Sequence, residues 1–387
     1  MLMGHDTENK KIRVWFNQTL SSTYSIIEAL KNGELGEKLE FITSSRRKEH
    51  AYLQLGDESF IEPEEAYING EEGSKFDSYA YYALDTALKN NIDIFIPKRH
   101  LKEIAQNKEM FESCGIKVIC NSYESIDITE YKSKVYEKLR GTEIEPFIPS
   151  YRLVETPEQM EEAIREYIKN GAIATIKADK DEGGDTVRFV QERVKSNFNT
   201  FEYGIPNRKI SLFEATESYR HLLESVGSAG SKPFIVMPYI NGKEVSIDCY
   251  IGKNMQNPIA ISRVKSSRTQ IVGESHRVHE PINGTETTLE SLAIQIGRIL
   301  DLTSGIYNVQ FMWDSEHGEY RLTDVNPRTS GGMYMSILTG VNSIEYAIRD
   351  ILNKNGDTIP YENNIEKIKV GKVERAVVIE SKQSKSI

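Results

Sequence analysis

Apolar positions along the chain fall into two rhythms: short runs with period-two alternation, which predict strands, and residues three and four apart, which predict helices. Ile12 to Phe16 is a short apolar run. Helical spacing follows from Thr23 to Leu30 until Gly33 and Gly36 end it, and strand character returns from Leu39 to Thr43. Ile92–Pro97 and Ile116–Ile119 add further short strands. Phe76, Ala80, Ala83, Leu84, Ala87 and Leu88 fall on one face of a helix, with Tyr79, Tyr81 and Tyr82 around it as packing rather than a ligand cage. Strand, helix, strand in this order builds a parallel sheet, so this first part of the chain is expected to be an open α/β domain.

Glu145-Pro146-Phe147-Ile148-Pro149 is a stiff connection whose two prolines disfavour helix, and a new module starts there. Thr156-Pro157 caps a helix from about Glu158 to Asn170 that Gly171 stops. The next strand, Ala172–Lys177, runs into the turn Asp181-Glu182-Gly183-Gly184-Asp185 and a returning strand, Thr186–Val190. Pro233–Ile240 and Val245–Tyr250, joined by Asn241-Gly242, are expected to pair as a hairpin. Helices are predicted at Thr288–Leu300 and Ser343–Leu352, and a last strand at Val373–Glu380. Between them Tyr307–Asp314 and Tyr320–Arg328 both alternate with period two around a turn at Gly318, which predicts a second hairpin.

At 387 residues the chain exceeds one compact core, and 39% hydrophobic and 27% charged residues are those of an ordinary globular protein of two or three domains. A net charge of −10 excludes a general nucleic-acid surface, whose footprint is a basic excess. Cys114, Cys120 and Cys249 are widely set and lack metal-ligand spacing, which argues against a disulfide framework and fits a reducing cytoplasm. Met1 to Lys11 holds no apolar core of a signal peptide, and no run approaches the ~20 apolar residues of a membrane span, so a cytoplasmic protein with no membrane partner is expected.

The second hairpin carries the candidate chemistry. Gln310, Asp324 and Asn326 share one face, with Arg328 nearby. A carboxylate, two amide oxygens and a guanidinium suit Mg²⁺ held on phosphates better than zinc or a redox metal. Alone, such a face would be the solvated side of a half-buried sheet. The run Ser45-Arg46-Arg47-Lys48 reads as a solvated loop, and His276-Arg277-Val278-His279 as a loop over a site rather than a metal centre, because no third ligand stands near.

A strand ending in Lys177, a Gly-Gly turn, the segment Met237-Pro238-Tyr239-Ile240 and the acidic hairpin occur in an order that resembles the ATP-grasp superfamily, in the pattern of carbamoyl-phosphate synthase-like members and carboxylate–amine ligases. The resemblance implies an α/β protein: an N-terminal open parallel-sheet, Rossmann-like pre-ATP-grasp domain at 10–128, then a two-lobed α+β ATP-grasp domain, with a small lobe at 129–240 carrying a mobile Gly-rich lid and a large lobe at 241–387 carrying the metal and substrate site.

It also implies roles. Lys177 and Lys132 (or, as fallback, Lys134) would bind ATP phosphates under Gly183 and Gly184. Met237, Pro238, Tyr239 and Ile240 would meet the adenine with main-chain groups, Met312 would lie under the ring, and Glu244 would accept from the ribose. Gln310, Asp324 and Asn326 would hold Mg²⁺, with Mn²⁺ as a substitute, and Arg328 would face the transferred phosphate as the catalytic residue. Arg263, in the loop expected after a strand at Asn257–Ser262, would bind substrate together with His276, Arg328, Ser330 and Gly331, Lys265 and Arg268 being solvated. Tyr131 stands where the pattern has an acid, and one carboxylate in the metal set implies few or weakly bound ions. The implied activity is ATP-dependent joining of a small carboxylic or amino acid to an amine through an acylphosphate. Alternatives are a carbamoyl-phosphate synthase-like enzyme that takes bicarbonate through carboxyphosphate, and a nucleotide-binding regulatory protein without turnover. The partners are small molecules, and the first domain could support a homodimer.

Overall fold

The computed structural model describes residues 10–17, 22–64, 75–180, 186–192, 209–226, 232–255, 257–265, 273–275, 287–338, 341–360 and 368–369, with the single residues 68 and 282. Three sheets organise them. The first is wholly parallel, in the order β3-β2-β1-β4-β5, from β1 (Ile12–Phe16), β2 (Leu39–Ser45), β3 (Glu58–Ile61), β4 (Ile94–Ile96) and β5 (Lys117–Val118). Its central strands β1 and β4 are rich in large apolar residues because both faces are covered. Trp15, Ile42 and Phe95 pack on one side against the helix Tyr79–Lys89, and Val14, Phe16, Phe41 and Ile94 pack on the other against the helix Ser22–Lys31.

The second sheet, β6-β10-β7-β8-β9, comprises β6 (Arg152–Val154), β7 (Ala174–Ala178), β8 (Arg188–Gln191), β9 (Lys209–Ser211) and β10 (Phe234–Pro238). The helices Pro157–Tyr167 and Leu212–Val226 cover one face. Thr156 caps the first of them by accepting from the Gln159 N–H, as its sequence predicts, but the helix ends at Tyr167 and a 3-10 turn carries the chain to Gly171, whose φ is +80°. The third sheet, β15-β14-β11-β12-β13-β16, holds β11 (Glu244–Tyr250), β12 (Ile259–Lys265), β13 (Gly273–Ser275), β14 (Ile306–Asp314), β15 (Glu319–Asn326) and β16 (Ile368–Lys369).

The hairpin of β14 and β15 is present, with Gln310 opposite Asp324 and Asn308 opposite Asn326. The hairpin expected from Pro233 to Tyr250 is not. β10 pairs on both edges within the second sheet, with β6 and β7, while β11 pairs with β12 and β14 in the third. Local alternation is satisfied equally by either partner, and the neighbours far along the chain decide. Residues Tyr239–Lys243 therefore cross from one sheet to the other. The helix Leu212–Val226, the short helices Leu101–Gln106 and Lys108–Ser113, and β3 were not anticipated by the sequence pattern. The predicted strand Val373–Glu380 lies outside the described residues.

Candidate active site

A cavity of about 390 Å³ lies between the second and third sheets. The second sheet and the crossing segment supply Thr175, Lys177, Phe189, Met237, Pro238, Tyr239 and Ile240, and the third supplies Glu244, Asn308, Gln310, Met312, Thr323, Asp324 and Asn326. Lys132, Val187, Arg328, Ser330 and Gly331 complete the lining.

The two lysines converge because one carboxylate ties their elements together. Lys177 lies in β7, and two residues on, buried Asp179 accepts from Ser133 N (2.7 Å) and Ser133 Oγ (2.5 Å) at the start of the helix Lys132–Leu139. The Asp179 carbonyl also accepts from Lys132 N at 3.1 Å. Tyr131, the N-cap residue, makes no side-chain cap, so this helix end takes its capping group and its favourable negative charge from β7. Lys132 is thereby held over the cavity, with its ammonium 4.0 Å from Asp324 Oδ1. Lys134 points away: it pairs with Asp127 at 2.8 Å and does not line the cavity.

Lys177 donates to Thr323 O at 2.9 Å and to the Tyr136 hydroxyl at 3.5 Å. That carbonyl is available because of a β-bulge. Gln310 opposes Asp324 and Phe311 opposes Leu322, which leaves Thr323 as an extra residue on β15. A bulge turns a group out of the ladder, here a carbonyl toward the facing sheet. Tyr136, its hydroxyl pushed far above the usual range by burial and by Asp324, stays a neutral donor to Thr323 O (3.3 Å) and Leu322 O (3.4 Å).

On the third sheet, period-two alternation puts Asn308 and Gln310 of β14 beside Asp324 and Asn326 of β15. The Gln310 amide donates to Asn308 Oδ1 at 3.2 Å. The Asn308 amide donates in turn to Ser246 Oγ (3.0 Å), Ile247 O (3.0 Å) and Asp248 Oδ1 (2.9 Å), which fixes its orientation. No cluster of three His, Cys, Asp or Glu residues occurs among the described residues. One carboxylate with amide oxygens fits Mg²⁺ carried largely by phosphates and water, not a closed protein cage.

The apolar part of the cavity lies opposite. Met312 faces Glu244 directly across β11 and β14, and Phe189 packs edge-on to Tyr239 with centroids 5.0 Å apart. Tyr239 donates its N–H to Ile173 O at 2.9 Å and Pro238 has none, so neither supplies a main-chain donor to a ligand.

Arg263 is placed differently from its expectation. β12 continues to Lys265, so Arg263 is a strand residue opposite Ser246 instead of a loop residue after the strand. It is buried behind the cavity wall, paired with Asp248 at 2.9 Å, and donates to Ser336 Oγ (2.8 Å) and Ser330 Oγ (3.0 Å). It braces the Ser330–Gly332 turn and does not line the cavity; a side chain at Gly332 would meet its guanidinium. Gly183, Gly184 and His276, like Arg268, lie outside the described residues.

Thr175, Val187, Phe189, Asn308 and Thr323 line the cavity without having been singled out from the sequence. Thr175 and Asn308 each stand two residues before a residue that was, so strand alternation was a usable signal for both. Thr323 enters only through the bulge, which leaves no mark in the apolar pattern.

Residues 230–376 match the family described as ATP-grasp in the biosynthetic pathway with Ter operon, and this segment contains β11 to β16 with Glu244, Gln310, Asp324, Asn326 and Arg328. The part of the chain that builds the third sheet is therefore similar to an ATP-grasp family. Solved structures share the fold across nearly the whole chain. Biotin carboxylase from Campylobacter jejuni, in complex with β,γ-ATP, is 19% identical with a TM-score of 0.63, over 92% of this chain and 74% of its own. The biotin carboxylase domain of Hydrogenobacter thermophilus 2-oxoglutarate carboxylase, in complex with Mg-ADP, ADP and bicarbonate, is 18% identical with a TM-score of 0.61, over 92% of this chain and 72% of its own. N5-carboxyaminoimidazole synthetase from Staphylococcus aureus is 13% identical with a TM-score of 0.55, over 92% and 81%. Among the described residues, no helix is long and apolar enough to cross a membrane.

Proposed function

We propose that the protein is an ATP-dependent carboxylate–amine ligase that works through an acylphosphate. The observation that carries this reading is the convergence of Lys132, Lys177, Arg328 and the Gln310–Asp324–Asn326 set on one cavity whose other end is apolar. Adenine takes the end lined by Met237, Met312 and Phe189, and Glu244 accepts from the ribose hydroxyls. Lys132 and Lys177 neutralise the phosphates. Asp324, with the Gln310 and Asn326 oxygens, would hold Mg²⁺, which when bound would supply positive charge against the phosphates.

An oxygen of the acid's carboxylate attacks the γ-phosphorus, the bond to the ADP oxygen breaks, and ADP leaves with the electron pair. Arg328 meets the charge that develops on the transferred group. The amine then attacks the acyl carbon, loses a proton, and expels phosphate to leave an amide. No protein nucleophile enters. The biotin carboxylase domain solved with Mg-ADP and bicarbonate supports bicarbonate as a separate candidate acid.

The test is release of ADP and phosphate from Mg-ATP across amino acids singly and in pairs, with a bicarbonate arm. Turnover that requires an acid and an amine together is expected. Asp324→Ala is expected to lower it about a hundredfold or more, with an unchanged melting temperature. Nucleotide binding without turnover under any arm would replace the ligase with a regulatory protein, and turnover with bicarbonate alone would replace the acid.

A further inference from the structure

The parallel sheet reverses its winding between β1 and β4, and in open α/β sheets ligands sit in the crevice outside the carboxyl ends of strands at such a point. In this chain the crevice opens toward the residues that follow β15. Asn17, buried just after β1, accepts from the N–H groups of Lys98 (2.6 Å) and Arg99 (3.4 Å) and fixes the turn after β4. The Lys98 ammonium lies 5.7 Å from the centre of the Phe16 ring and donates to Thr329 Oγ1 at 2.7 Å. Arg328 donates to the carbonyl of the same threonine at 3.3 Å.

Two cations from distant parts of the chain thus meet at one residue. Among the described residues neither is paired with a carboxylate, whereas Lys102, four positions on, is bound to both Asp127 and Glu130. Burial and the neighbouring Arg328 lower the Lys98 ammonium to about 7, the direction expected of a cation that lacks its counter-ion. Arg328 lines the ATP cavity, so an anion held by both would lie at the cavity's edge.

We propose that Lys98 and Arg328 form an oxyanion subsite between the N-terminal sheet and the nucleotide cavity, which holds the carboxylate of the acid substrate beside the terminal phosphate of ATP. This assignment rests on the ligase reading and deepens it: the acid is presented by the first sheet, through a residue outside the ATP-grasp lobes. The same oxyanion chemistry would also suit the phosphate being transferred, and the experiment separates the two.

Sulfate, which does not titrate in the neutral range, is the probe, and its binding to the full chain is measured by calorimetry in two arms. Saturating Mg-ADP leaves the terminal phosphate position open, and saturating magnesium β,γ-methylene-ATP fills it. Sulfate is expected to bind in both arms, about tenfold or more weakly in Lys98→Met, with Lys98→Arg restoring most of the affinity and nucleotide affinity unchanged in both variants. Binding confined to the Mg-ADP arm would assign the oxyanion to the transferred phosphate and overturn the carboxylate assignment. Equal sulfate affinity in Lys98→Met, or no sulfate binding to either nucleotide complex, would overturn the subsite and leave the ATP reading standing. A wild-type chain that binds neither nucleotide would overturn the ligase reading itself.

Discussion

Asp179 shows how a residue with no place in the proposed chemistry sets the geometry of residues that have one. Two residues after Lys177 and just past the end of β7, its carboxylate caps the helix that begins at Lys132. Asp179→Ala leaves the Ser133 N–H without its acceptor and removes a negative charge from a helix N-terminus, which costs about 1–2 kcal/mol of stability. Lys132 also loses its anchor, so nucleotide affinity is expected to fall further than for the substitution Lys134→Ala, whose side chain pairs with Asp127 outside the cavity. Urea midpoints and nucleotide titration read the two effects separately. Equal nucleotide affinity in both variants would remove Asp179 from the positioning of Lys132. The alternation of β14 and β15 made Gln310, Asp324 and Asn326 legible from the sequence, because a period of two puts Asp324 and Asn326 on one face and the hairpin register sets Gln310 opposite Asp324. Asp179, Lys98 and Tyr136 were not legible as site-building residues. Each acts through a partner more than 40 positions away, and no local pattern records such a contact.

Among the elements, the segment Tyr239–Lys243 has the greatest consequence, since it leaves one sheet and enters the other at the edge of the cavity. The sequence presented Pro233–Tyr250 as a simple hairpin around Asn241-Gly242, and the turn residues there are real. What local alternation could not supply is the identity of the pairing partners, which for β10 are β6 and β7. Arg263 illustrates the same limit: three further residues of β12 moved it from a loop to the interior, where Asp248 neutralises it. Gly242 is required by the crossing itself. A Cβ there would stand 1.8 Å from the Trp313 carbonyl oxygen and 2.8 Å from its carbonyl carbon, both backbone atoms that cannot swing aside. Gly242→Ala is therefore expected to cost roughly 1–3 kcal/mol and to displace the segment against Met312 and Glu244. Thermal melting reads the first effect and nucleotide affinity the second; a wild-type melting temperature would mean that the crossing relaxes at no cost.

In the whole molecule, the N-terminal sheet and the third sheet share one apolar interior instead of meeting across a polar seam. Val14, Phe16, Ile94 and Ile119 belong to the same buried cluster as Tyr250, Ile259, Ile306, Ile344 and Ile348. The backbones also approach closely where the two parts join, since a Cβ at Gly305 would lie 2.5 Å from Asn121 N. Asn121, wholly buried, donates to Ile306 O at 3.1 Å and to Pro327 O at 3.3 Å, the latter one residue before Arg328. This joint holds the carboxyl ends of β1 and β4 against the end of β15, and so holds Lys98 against Arg328. Interfaces between independent domains are more polar than this, and the default of relative motion does not apply to a large shared core. The two sheets are accordingly expected to open as one cooperative unit. In native-state hydrogen exchange the amides of Val14 and Ile94 should report the same opening free energy as those of Ile259 and Ile261, and Asn121→Ala should lower all four together. If the N-terminal amides exchange through a lower-energy opening that Asn121→Ala affects alone, the first sheet moves independently of the cavity, and the rigid joint inferred between Lys98 and Arg328 is lost with it.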